Sequence, residues 1–172
     1  MGTLDRLGYT STPANGAQRA MQNAASTGRA AWIFQRTLYP VDRVLFRLTS
    51  GRLTVPGIVA GLPVILLTTT GRKSGEPRTM PLLGVPLDDD IAIIGTNYGQ
   101  QNTPGWVYNL EADPTATVEW RDSSIDVVAR PADEAEADRA FELATDVYAG
   151  YAAYRERARA RTIRVFVLES TS

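Results

Sequence analysis

Between Leu66 and Leu82 the chain reads LLTTTGRKSGEPRTMPL, which puts Arg72, Lys73 and Arg78 around Gly71 and Gly75 directly after an apolar run. Three fixed cations on one short turn repel each other unless something anionic sits among them. Glycines let the backbone come close to a ligand. Guanidinium and ammonium groups supply forked and point-like contacts to phosphate or carboxylate, with the Ser74 hydroxyl beside them. The stretch is not a P-loop, because GxxxxGK[ST] needs a glycine five places before the Gly-Lys pair, and it is not GxGxxG. A solvated hairpin tip and an anion site both fit these residues.

Two other constellations could take part in chemistry. GTNYGQQNTPGWVYNL, from Gly95 to Leu110, reads as a strand end, a polar loop and a helix start. Helix N-termini attract anions, and Trp106 on the first turn is either a core plug or a wall against a flat ring. VYAGYAAYRERARAR carries Tyr148, Tyr151 and Tyr154 at three-residue spacing. These fall on neighbouring helix faces and could pack as ordinary amphipathic rings, bind an aromatic substrate, or donate a proton to it.

Composition narrows the chemistry. The 172 residues include no histidine and no cysteine. That removes Ser-His-Asp and Cys-His nucleophiles, CxxC redox chemistry, disulfides, and the usual zinc, copper and haem ligand sets, so no metal site is expected. What is left is hydroxyls, amines, carboxylates, tyrosines or a borrowed cofactor. A net charge of -1 gives no reason to expect nucleic acid. The first twenty-odd residues lack an apolar core segment, and the best apolar run, Val55 to Leu67, is interrupted by Pro56 and Pro63. A cytoplasmic protein is the expectation.

The elements that must position these groups form one domain, at 44% apolar and 22% charged residues. Residues 1–17 are rich in Gly, Thr, Ser and Pro without periodicity and read as a loose arm, and residues 18–172 read as a single domain. Its opening part, 18–52, is an amphipathic helical segment. There Arg29, Arg36, Arg43, Arg47 and Arg52 stand against one acid, Asp42, among Trp32, Phe34, Leu38 and Phe46. Such a segment either packs on the body with its arginines wet, the commoner outcome, or lies on an anionic membrane surface through residues 28–52.

From Pro63 onward short β runs dominate, at 64–70, 78–87, 91–97, 115–120, 125–132 and 162–170. The links GRKSGEP, DDD and RDSS suit hairpins, so these six strands should be mostly antiparallel. One helix should start at Thr103-Pro104 and end before Pro114, and a long one should run from about Asp133 to Arg159 before the last strand. The fold class is therefore mainly β with α, a small barrel of about six strands.

The GRKSG stretch, TPGWVYNLEADP and the spaced tyrosines together resemble the deazaflavin (coenzyme F420)-dependent nitroreductase family of actinobacteria, over about residues 25–170. The resemblance implies a split β-barrel that binds F420. It assigns the coenzyme's phosphate and oligoglutamate tail to Arg72, Lys73, Ser74 and Arg78. It places Met80, Pro81, Leu82, Leu83, Gly95 and Thr96 along the deazaflavin with Trp106 nearby, and turns Tyr148, Tyr151 and Tyr154 toward the substrate. The implied reaction is hydride transfer from reduced F420 to a quinone, a nitroaromatic or another conjugated molecule. A quinone acceptor would suit peripheral contact with the inner face of the cell membrane. Departures from the family pattern are Asn97, where a basic residue is usual, Leu83 in place of a tyrosine, and Thr103 in place of an asparagine. Two other readings fit the same barrel: a non-catalytic binder of a fatty acid or of F420, and a flavin mononucleotide oxidoreductase.

Overall fold

The computed structural model describes residues 1–10, 62–148, 150–157 and 160–171. The expected amphipathic segment at 18–52, with its membrane-directed face at 28–52, lies outside the described residues. Seven strands form one sheet: β1 (Val64–Thr70), β2 (Pro77–Leu83), β3 (Val85–Leu87), β4 (Asp90–Ile94), β5 (Thr115–Trp120), β6 (Ser123–Pro131) and β7 (Val165–Ser170). Their order is β2-β1-β5-β6-β7-β4-β3, and every pairing is antiparallel. The sheet curls into the half-barrel of a split-barrel fold, mainly β with a few helices, as the sequence led us to expect. The helices are α1 (Thr3–Leu7), α2 (Gly105–Ala112), α3 (Glu134–Val147) and α4 (Gly150–Arg157). No helix among the described residues is long and apolar enough to cross a membrane.

The expected strand over 78–87 is divided at Gly84. A Cβ there would lie 3.1 Å from both the Ile65 side chain and the Tyr9 hydroxyl, so a larger residue would have to push one of them aside.

Alternation along the strands builds two cores, one on each face of the sheet. Ile65, Leu67, Ile91, Ile93, Val118, Val127 and Leu168 fill the inner one, with Trp106, Val107 and Leu110 of α2. Val85, Leu87, Ala92, Ile94, Val165 and Val167 form the outer one, covered by Ala140, Phe141 and Ala144 of α3 and Tyr151 of α4.

The first ten residues are not a loose arm. Thr3 donates its hydroxyl to the Leu168 carbonyl at 2.7 Å, and its amide donates to the Asp90 carboxylate at 2.9 Å. Leu7 is buried in the inner core. Tyr9 stacks 4.6 Å from Trp120 and donates to the Gly84 carbonyl at 2.6 Å, and its burial pushes the phenol pKa up. These bonds reach 75 to 165 residues along the chain, so no local pattern announces them. Residues 11–17 lie outside the described part.

The expected long helix is two. Asp133 caps α3 with a capping box to Glu136. The backbone then becomes extended at Tyr148, with φ -149° and ψ 107°. Thr145, Val147, Tyr148 and Gly150 are all poor helix formers. A Cβ on Gly150 would collide with the Tyr148 ring, so that ring lies folded over the glycine that starts α4.

Arg130 of β6 ties α3 to the sheet. Its guanidinium reaches both Glu136 oxygens at 2.7 and 2.8 Å and Glu169 of β7 at 2.8 Å. These bonds to Arg130, with a smaller share from the Asp133 amide, hold the Glu136 carboxyl at a pKa of about 2. A carboxyl depressed on folding adds stability above its unfolded pKa, about 4.3, and loses it as pH falls through the folded value. Glu136→Gln should therefore cost about 1 kcal/mol at pH 7. In urea unfolding of both proteins the gap should close as pH falls from about 4.3 to about 2, whereas an unchanged gap at pH 2 would show that the ionised carboxylate is not its source.

Candidate functional site

The cationic stretch forms the turn of the β1–β2 hairpin. Thr70 pairs with Pro77 at its base, and the Gly71 amide donates to the Glu76 carbonyl at 2.8 Å. Gly75 has φ +69°, the left-handed region that glycine enters without strain. At Gly71 an added Cβ would meet the Ser74 hydroxyl at 2.9 Å and the Glu76 carbonyl at 3.0 Å, so a larger residue would have to shift the turn. The Ser74 hydroxyl oxygen accepts from the Glu76 amide at 3.3 Å and from Arg78 at 3.4 Å. Thr68 and Thr79 share a 2.8 Å hydroxyl contact across the strands.

Helix α2 braces the turn. The Arg72 amide donates to Asn109 Oδ1 at 3.1 Å, and Asn109 Nδ2 donates to the Thr69 hydroxyl at 3.0 Å. One amide side chain thus bridges strand and turn. The Arg72 guanidinium lies 4.6 Å from the centre of the Tyr108 ring, within cation–π range.

Four arginines elsewhere are neutralised: Arg130 by Glu136 and Glu169, Arg139 by Asp88, Arg155 by Asp138 and Arg164 by Glu111. Among the described residues Arg72, Lys73 and Arg78 have no carboxylate partner. Exposed cations on a fixed backbone, with close-approach glycines, fit a ligand bearing phosphate and carboxylate groups.

The other expected site residues fall into separate groups. Met80 and Leu82 pack toward the inner core, while Leu83 packs on the outer core, so the four residues 80–83 do not share a face. The edge position of β2 explains why all four stay half-buried. Trp106 is 3% exposed and meets Phe166 edge-on at 6.0 Å, so its ring fills the inner core. Gly95 and Thr96 are buried at the end of β4. The Gly95 amide donates to the Arg164 carbonyl at 2.9 Å, and both carbonyls accept from Arg161.

The three tyrosines do come together. Their ring centres are 5.8 to 6.4 Å apart in tilted and edge-on contacts, and Tyr148 and Tyr154 pack on the same outer cluster as Leu83. Tyr151 is buried within that cluster.

The departures are also placed. Asn97 takes φ +49° and donates to the Asn102 carbonyl at 2.9 Å, so it closes its own loop and carries no charge to a ligand. The helix begins one residue later than expected, with Pro104 rather than Thr103 at the N-cap. An open groove of about 530 Å³ between α3 and α4, lined by Phe141, Thr145 and Arg155 among others, contains none of the expected site residues.

Three residues escaped the sequence reading: Tyr108, Asn109 and Arg161. The first two stand beside Val107 and Leu110 on a helix whose other face is buried, and a polar pair at that place was the available signal. Arg161 belongs to a run of alternating arginines and alanines and had no local signal.

The model of the F420H2-dependent quinone reductase family matches residues 43–170. An F420H2-dependent quinone reductase of Mycobacterium tuberculosis is 32% identical over 129 residues, covering 72% of this chain and 84% of that protein. A solved F420H2-dependent reductase of the FDR-A type is 35% identical, with TM-score 0.57, over 62% of this chain and 94% of its own. A second solved structure, a domain-swapped dimer, is 30% identical with TM-score 0.59, over 83% of this chain and all of its own. The chain thus belongs to the F420H2-dependent quinone reductase family, oxidoreductases whose coenzyme is the deazaflavin F420.

Proposed function

We propose that this chain takes up reduced F420 through the β1–β2 turn and reduces a quinone held against the tyrosine cluster. The observation that carries this reading is the turn itself. It has three exposed cations without a carboxylate partner among the described residues, on a backbone pinned by Asn109. Arg72, Lys73 and Arg78, with Ser74, would hold the phosphate and the glutamate carboxylates. The edge strand from Met80 to Leu83 and the β4 end at Gly95 and Thr96 would border the ring. When bound, the reduced deazaflavin supplies a hydride, and a quinone needs a proton besides to become the quinol.

The chain's own work is then to hold two flat molecules at reacting distance, keep water out and deliver a proton. Tyr148, Tyr151 and Tyr154 supply an aromatic surface and the phenols that could donate. From Arg78 to Leu83 the strand rises roughly 17 Å at about 3.3 Å per residue, so one element links the anion end to the face that bears the tyrosines.

Charge-assisted contacts of this type contribute about 1.5–3 kcal/mol each. Arg72→Ala combined with Lys73→Ala should weaken F420 binding by at least about 100-fold in a fluorescence titration. Asn109→Ala, which removes no charge, should weaken it by about 5-fold through loss of the turn's brace. Unchanged affinity in the double variant would place the coenzyme elsewhere.

If the tyrosine hydroxyls donate the proton, single Phe variants at 148, 151 and 154 should leave F420 affinity intact. At least one should lower kcat by about 100-fold with a soluble menaquinone analogue. Full turnover in the triple Phe variant would reduce their role to shaping the pocket.

Quinones partition into bilayers, and the arginine-rich run at 28–52 would bring the enzyme to them. Reversing Arg36, Arg43 and Arg47 to Glu should then abolish flotation with anionic liposomes, and flotation that persists would remove the idea.

A further inference from the structure

Arg161 lies in the link between α4 and β7, at the end of the tyrosine-bearing stretch, and the functional reading gives it no role. Its Nη2 donates to the Gly95 and Thr96 carbonyls, both at 2.9 Å, and its Nε donates to the Gln100 carbonyl at 3.2 Å. Its Nη1 is buried with no partner among the described residues. Burial first, and then the nearby Arg164, disfavour its charge. A partly buried guanidinium with no carboxylate among the described residues is an unusual way to tie down a loop, so what it ties is informative.

The loop from Gly95 to Gln101 touches both halves of the site. At one end Gly95 is gripped on its amide by the Arg164 carbonyl and on its own carbonyl by Arg161. At the other, Gln101 donates to the Arg157 carbonyl of α4 at 2.7 Å. Between them Gly99, at φ +78°, lies so close to α4 that an added Cβ would be 3.3 Å from Tyr154 Cα. The loop therefore spans from the strand end that borders the coenzyme to the helix that carries Tyr151 and Tyr154. The nearby Tyr108 also underlies Arg72 of the cationic turn.

We propose that Arg161 is a positioning residue: by gathering three carbonyls of the 95–100 loop it sets the spacing between the coenzyme side and the tyrosine side of the site. The proposal rests on the functional reading above. It separates two properties, since the cationic turn governs coenzyme affinity while Arg161 governs how well the bound partners are aligned. Misplacement by about 1 Å can cost about 100-fold in rate without loss of binding.

The test is steady-state kinetics of the full chain with reduced F420 and menadione, together with F420 titration and thermal melting, for wild type, Arg161→Ala and Arg161→Lys. Both variants should lose about 10- to 100-fold in kcat. F420 affinity should stay within about 3-fold, because the turn that carries it is untouched. Lysine should not rescue, since one ammonium cannot span three carbonyls in a fork. Added guanidinium ion, well below denaturing concentration, should restore part of the rate to Arg161→Ala and none to Arg161→Lys.

Wild-type kcat in the lysine variant would overturn the proposal in favour of charge alone. Loss of kcat, F420 affinity and melting temperature in parallel would reduce Arg161 to a folding role and overturn it as well. A wild-type chain that binds no F420 overturns the functional reading and takes this proposal with it. A wild type that turns over beside an equally active Arg161→Ala overturns this proposal alone.

Discussion

Ile91 and Ile93 point into one core, while Ala92 and Ile94 on the same strand point into another, and β7 repeats the division with Phe166 and Leu168 against Val165 and Val167. Strands buried on both faces cannot slip by one residue, because a slip would exchange the two cores wholesale. That constraint fixes where helices can attach. Helix α2 contributes Trp106, Val107 and Leu110 to the inner core, and α3 and α4 cover the outer one. The cationic turn is therefore braced by one helix, α2, while the tyrosine cluster sits on the other face with α4, and the loop after β4 runs from the end of that strand to α4.

Electrostatics divides the molecule in the same way. The arginines around α3, β6 and β7 are matched by carboxylates, and the Arg130, Glu136 and Glu169 cluster joins three elements. The hairpin turn is left unmatched among the described residues, although its backbone is held by hydrogen bonds to Asn109 and its Arg72 rests on an aromatic ring. A positive turn ordered in advance would spend little entropy on meeting an anion.

What could be read from the chain and what could not separate by range. The strands at 64–70 and 115–120, the hairpin links, the stop before Pro114 and the Asp133 start of α3 all rest on signals within a few residues, and they stand as expected. The division at Gly84, the break at Tyr148 and the packed first ten residues depend on contacts from distant segments: Tyr9 on Gly84, a ring folded over Gly150, Thr3 on Leu168. The site follows the same rule. The GRKSG hairpin turn was legible because its signal is contiguous. Met80 and Leu82 pack on the inner core and Leu83 on the outer one, and Trp106 lies in the inner core beside Phe166. Arg161 acts across more than 60 residues of sequence and left no trace in its neighbours.

Helix α2 joins these levels. Eight residues are too few to hold a helix in water, so it exists because its buried face is clamped in the inner core. Its other face presents Tyr108 to Arg72 and Asn109 to the turn backbone. The geometry of the cationic turn is thus set by apolar packing that never touches a ligand. A change of one methylene at Val107 would be felt at Arg72 through a single turn of helix, because close-packed interiors transmit displacement and do not absorb it.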